Sequence, residues 1–171
     1  MINNGIERIN AMPKTTSCCF TGHRFLPNDF DSSRLVNEIV GMIERGVDTF
    51  ICGGALGFDT LAAIAVLKLK KKKHKGIKLH IYAPCQEQDA KWNSHDKRIY
   101  RGILSRADYV DMPTIPYNNQ CMKIRNYKMV DNAAYLIAYY DGTFASGTGQ
   151  TVRYAEKCGI EIINLYDAQQ A

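Results

Sequence analysis

Short apolar runs alternate with stretches of helical periodicity along this chain, and no other feature limits its fold so sharply. Ser17 to Thr21 reads as a buried strand that leaves its sheet at Gly22. Behind Asp31 or Ser32 as N-cap, Leu35, Ile39, Met42 and Ile43 fall at helical spacing over Ser32 to Arg45, and Gly46 closes that helix. The couplet then repeats. Strand Thr49 to Cys52 precedes helix Thr60 to Lys72, and strand Lys78 to Tyr82 precedes helix Asp89 to Arg106. Strand Tyr109 to Met112 precedes helix Gln120 to Asp131, strand Ala134 to Tyr140 precedes helix Gly149 to Cys158, and Glu161 to Leu165 is a last strand.

Repeated βα units with apolar strands imply a mainly parallel sheet of about six strands, covered by helices on both faces and joined by right-handed crossovers. The expected fold class is therefore α/β, a Rossmann-like three-layer α/β/α sandwich. A length of 171 residues suits one domain, read here as 17–171, with 1–16 as a loose N-terminal arm. With 46% hydrophobic and 23% charged residues, the chain has the balance of a globular protein and not of a disordered one.

The net charge of +5 owes much to one run, Lys68, Lys70, Lys71, Lys72, Lys73, Lys75 and Lys78. Its simplest reading is a solvated helix end whose lysines complement the C-terminal dipole; binding of nucleic acid through Lys70 to Lys75 is the less favoured one. Cys18, Cys19, Cys52, Cys85, Cys121 and Cys158 form no CxxC pair and read as reduced thiols, mostly buried. Met1 to Thr16 lacks the apolar stretch of a signal peptide, and nowhere are there about 18 successive apolar residues, so a cytoplasmic protein without a membrane partner is expected.

In an open parallel sheet, ligands bind beyond the carboxyl ends of the strands, so the residues just after each strand are the informative ones. The first strand ends in Gly22-His23-Arg24, where glycine allows close backbone approach and Arg24 offers a fork to phosphate or carboxylate. The second runs into Gly53-Gly54-Ala55-Leu56-Gly57-Phe58-Asp59, in which bare amides and a helix N-terminus can converge on an anion. Asp59 suits either the helix dipole or a ribose hydroxyl. After the fifth strand, Tyr140-Asp141-Gly142 leads to Ser146-Gly147-Thr148, a second small-residue loop opening a helix. Arg125 and Asn126 sit on the preceding helix, where the guanidinium can reach the crevice. Trp92, with Gln88 upstream, is a secondary candidate for stacking on a base, read as part of a helix.

Other chemistries find little footing. The second loop differs from GxGxxG and lacks the GK[ST] of a P-loop, and no GxSxG elbow is present. His23, His74, His80 and His95 have neither HxxxH spacing nor cysteine partners at zinc spacing, so no metal and no cofactor is expected.

Thr21-Gly22-His23-Arg24, the Gly53–Asp59 loop, Met122 to Asp131 and Tyr140-Asp141-Gly142, in this order, resemble the YpsA-like family of the SLOG superfamily. The resemblance covers Ser17 to Tyr166 and implies a Rossmann-like nucleotide-ligand fold, kin to the Lonely Guy phosphoribohydrolases and to the DNA-processing protein DprA. It also implies a regulatory role. The Lonely Guy enzymes carry a PGGxGTxxE loop, whose Glu assists N-glycosidic cleavage, and an Arg on a preceding helix. Ser146-Gly147-Thr148 looks like a shortened form of that loop and Arg125 matches the Arg, but Thr151 stands where the Glu belongs and the next acid is Glu156.

The leading expectation is a binder or sensor of a nucleotide-like small molecule. In it Gly22, His23, Arg24, Gly53, Gly54, Ala55, Gly57, Ser146, Gly147 and Thr148 form the phosphate-binding loops, while Asp59, Arg125, Asn126 and Asp141 fix ribose or base. An N-glycosidic hydrolase with a relocated carboxylate, Asp59 or Asp141, assisted by Arg125, is the second. Single-stranded nucleic-acid binding, as in DprA, is the third. Apolar helix faces and strand edges leave room for a homodimer.

Overall fold

The computed structural model describes residues 14–114 and 116–167. Most of the expected N-terminal arm lies outside these residues; its end, Lys14–Thr16, is a 3-10 turn. Six strands follow: β1 (Ser17–Gly22), β2 (Thr49–Cys52), β3 (Lys78–Tyr82), β4 (Tyr109–Asp111), β5 (Tyr135–Tyr139) and β6 (Glu161–Asn164). Between them run α1 (Ser32–Glu44), α2 (Phe58–Lys72), α3 (Ser94–Leu104), α4 (Cys121–Asp131) and α5 (Gly147–Cys158). The strands form one sheet in the order β4-β3-β2-β1-β5-β6, and every neighbouring pair is parallel. The chain has the α/β Rossmann-like fold.

The apolar pattern explains this order. β1, β2 and β5 are buried on both faces, as parallel strands between two helix layers must be, whereas β4 and β6 are only partly covered and lie at the edges. Alternate side chains serve different layers. Cys18, Phe20, Phe50 and Cys52 pack with Leu35, Ile39, Phe58, Ala62 and Val66, on the side of α1, α2 and α3. Cys19, Ile51, Leu136 and Ala138 pack instead with Met129, Val130, Val152 and Ala155 of α4 and α5. The direction of winding reverses between β1, which leads outward to β4, and β5, which leads to β6. The loops after β1 and β5 therefore flank the switch point at which such folds open a crevice.

Helix starts obey local chemistry. Asp31 caps α1 by accepting from Ser33 N at 2.8 Å, Asn93 caps α3 by accepting from Asp96 N at 2.9 Å, and Ser146 Oγ caps α5 by accepting from Gly149 N at 2.9 Å. The Asn93 cap corrects the reading of Trp92: α3 begins after it, so Trp92 belongs to the β3–α3 loop and packs edge-on against Tyr100, ring centroids 5.2 Å apart. Each helix runs back from the carboxyl edge of the sheet, which puts Lys70, Lys71 and Lys72, in the last turn of α2, at the edge away from the crevice.

Candidate functional site

At the carboxyl edge, the loops after β1 and β2 are pressed together. Phe58 N donates to His23 O at 3.1 Å. Gly57, at φ 80°, lies so close that a Cβ there would overlap the Arg24 carbonyl, and a Cβ on Gly22 would overlap the Phe58 ring. These glycines let the backbone approach the protein itself. The same holds at Gly53, where a Cβ would collide with Arg125 and Asp59.

Below this contact lies a buried polar knot. Arg125 is 7% exposed, and its guanidinium donates to the carbonyls of Gly53 and, at 3.1 Å, Tyr82, while Nε donates to Asn126 Oδ1 at 2.7 Å. Arg125 thus clamps the glycine loop from beneath instead of reaching into the crevice, because three carbonyl-type acceptors already occupy its fork. Asp59, 5% exposed, accepts from Ala55 N at 3.4 Å. Burial pushes its carboxyl up to about 6, against the pull of Arg125 and of the Ala55 and Gly53 amides. Gln88 Nε2 donates to Gly53 O at 3.3 Å and Gly54 O at 2.8 Å, leaving Gln88 Oε1 buried with no partner; the Tyr100 hydroxyl beside Gly54 is likewise orphaned. Gly53 and Gly54 are themselves buried, and Ala55 to Gly57 are half-buried.

Two clefts open on either side of the β1 loop. One, of about 560 Å³, lies toward β2 and β3 and is lined by Arg24, Leu56, Glu87, Gln88, Lys91, Trp92, Asp96 and Tyr117. It abuts the start of α2, which no side chain caps. The other, of about 250 Å³, lies toward β5 and β6, with His23, Phe30, Arg34, Tyr139, Asp141 and Tyr166 on its walls. Asp29, Asp31 and Asp167 join Asp141 there, so this cleft is acidic. His23 Nε2 stands 2.9 Å from Asp141 Oδ1 and 3.3 Å from Asp141 N, so either protonation state of the imidazole finds a partner. The Thr143 amide, with His23 adding to it, holds the Asp141 carboxyl below the ordinary range.

The expected site residues therefore fall into four groups. Arg24 lines the larger cleft, and His23 and Asp141 the smaller. Gly53, Gly54, Asp59, Arg125 and Asn126 form the knot, joined to the surface by Ala55 and Gly57. Ser146, Gly147 and Thr148 open α5 and line neither cleft. Thr151, at the place of the Lonely Guy glutamate, is fully buried and donates its hydroxyl to Gly147 O at 2.9 Å. Tyr117, Tyr100 and Arg34 escaped the sequence reading, since each reaches a cleft or the knot from outside the glycine motifs.

A family model described as the YspA SLOG family matches residues 32–167. The chain belongs to that family. Among relatives of this SLOG chain, a UPF0398 protein of Halalkalibacterium halodurans is 35% identical over 106 residues, across 61% of this chain and 56% of that protein. The SPbeta prophage-derived protein YoqJ of Bacillus subtilis (strain 168) is 36% identical over 141 residues, across 72% of this chain and 81% of that one. The match thus spans little more than half of the first relative. Among solved structures, DprA of Streptococcus pneumoniae superposes with a TM-score of 0.64 at 18% identity, over 91% of this SLOG chain and 52% of DprA. DprA of Helicobacter pylori, described for its single-stranded DNA binding mode, superposes at 0.63 and 15% identity, over 88% and 65%. These likenesses extend to the fold. Among the described residues no helix is long and apolar enough to cross a membrane, and no cluster of His, Cys, Asp or Glu has the geometry of a metal site.

Proposed function

We propose that this SLOG protein binds a nucleotide or nucleotide-derived ligand, of the nucleoside-phosphate or ADP-ribose type, in a regulatory role. The larger cleft carries the reading. Arg24 and Lys91 supply positive charge for phosphate beside the start of α2, which no side chain caps, while Trp92 and Tyr117 supply aromatic faces for a base on the same cleft. The orphaned Gln88 oxygen adds a hydrogen-bond acceptor beneath it. Turnover has weaker support: Thr151 replaces the glutamate, and the raised Asp59 is sealed in the knot. Pairing of two copies would draw on exposed Phe144 and Ile124, at 69% and 59% exposure, and sedimentation would reveal it.

The test is calorimetric titration with AMP, ADP, NAD, ADP-ribose, cyclic nucleotides and a short oligothymidylate, followed by chromatography of each mixture. A mononucleotide or dinucleotide recovered intact supports the proposal, and Arg24→Ala weakens its binding by about ten-fold or more through loss of a charge-assisted bond. Release of free base would favour N-glycosidic hydrolysis with Asp59 or Asp141 as the relocated carboxylate. Binding of the oligonucleotide alone transfers it to single-stranded DNA, and binding of none of them refutes the ligand site.

A further inference from the structure

A second concave surface lies on the sheet face covered by α1, α2 and α3, away from both clefts. Between α2 and α3 runs a groove of about 450 Å³. Its floor is aliphatic: Ile64 and Leu67 from one helix, Ile99 and Ile103 from the other. Its rim is cationic throughout, with Lys68 and Lys71 on the α2 side and Arg98 and Arg106 on the α3 side. On α2 the four residues stand at i, i+3, i+4 and i+7, one stripe in which the apolar half faces the groove floor and the basic half its lip. A shallower depression that shares Leu67 and Lys71 extends the rim to Lys70, which pairs with Asp108, and to Lys75, which has no acidic partner among the described residues. Gly102 opens the middle of the α3 wall: a Cβ placed there meets nothing but the far end of Arg106, at 3.2 Å.

We infer that this groove docks an acidic amphipathic helix of a partner protein. An apolar floor between two helices accepts the apolar stripe of a third, and a rim carrying four cations with no carboxylate among its lining residues selects acidic flanks. A second copy of this chain offering the same face would oppose cation to cation. Nucleic acid bound through such a rim would meet isoleucine and leucine where single strands want aromatic faces. An anionic membrane would meet a concave surface where a protruding apolar face is needed. The lysine run at the end of α2, which the ligand site does not use, thereby acquires a role.

The test titrates the isotope-labelled chain with a helical peptide of about 18 residues, leucines at i, i+3, i+4 and i+7 and glutamates elsewhere, while amide resonances are followed. A scrambled peptide of equal composition, a version with lysine for glutamate, a short oligothymidylate and phosphatidylglycerol vesicles serve as competitors. The expected result is binding about ten-fold or more tighter than any competitor, with shifted amides confined to α2 and α3. Gly102→Leu fills the groove from a position with room for it and replaces a helical glycine with a better helix former, so it should abolish peptide binding without lowering the melting temperature. Lys71→Glu with Arg98→Glu should weaken binding about ten-fold. The inference is overturned if the scrambled or basic peptide binds as well or no peptide binds. It is equally overturned if the oligonucleotide or vesicles take the groove, or if Gly102→Leu binds undiminished.

Discussion

Asp59 is a carboxyl that folding buries beside a guanidinium, and burial and the neighbouring charge pull it in opposite directions. Burial wins and raises it to about 6 from an ordinary value of 3.8. A carboxyl raised on folding holds its proton more firmly in the native state, so its contribution to stability is complete below about pH 4 and is lost as the pH climbs through 6. Asp59→Asn has no such proton to lose. In thermal unfolding across this range, wild type should lose ground to the variant between about pH 4 and pH 6, and a gap that moves the other way would mean that Arg125 holds the carboxylate ionised. Glycines on the same loops divide by what surrounds them. Gly57→Ala combines a strained positive φ with a collision against the Arg24 carbonyl and should cost at least about 2 kcal/mol in urea unfolding. Gly147→Ala meets nothing within 4 Å and should be neutral or mildly stabilising.

Among the elements, α5 depends on Ser146, whose hydroxyl both accepts from Gly149 N and donates to Thr143 O at 2.7 Å. Ser146→Ala should lower stability by about 1 kcal/mol, read as a shifted melting temperature, with no change in ligand affinity because Ser146 borders neither cleft. Strands and helices were legible because their signals are local: two-faced apolar runs for β1, β2 and β5, and caps such as Asp31 one residue from the helix they start. The exception is instructive. The helix expected from Asp89 begins at Ser94, since apolar spacing is blind to a capping side chain, and Asn93 claims the start. The glycine loops were legible as loops but not in purpose. That Gly53 faces Arg125, 72 residues on, or that Gly57 faces Arg24, depends on which strands lie side by side. The sequence marks Arg125 as able to reach the crevice, and only the packing of α4 under the β2 loop turns its guanidinium into the knot instead.

At the scale of the molecule, the lysine run and the larger cleft are segregated. The lysines that end α2 and the residues that begin it lie at opposite edges of the sheet, roughly 20 Å apart at 1.5 Å per residue of a 15-residue helix and beyond the screening distance of about 8 Å at physiological salt. Lys71→Glu with Lys72→Glu should therefore change nucleotide affinity by less than about two-fold at that ionic strength, in the same titration that reports on Arg24. Between the two clefts, His23 faces one side and Arg24 the other, so a strip of backbone one residue thick is their common partition. The strip is bolted to α2 by the Phe58–His23 hydrogen bond and by the close seat of Gly57. Leaning into either chamber would break that hydrogen bond and unseat Gly57. A ligand that entered either cleft would therefore meet a wall already fixed at its base, with less ordering cost to be met on entry.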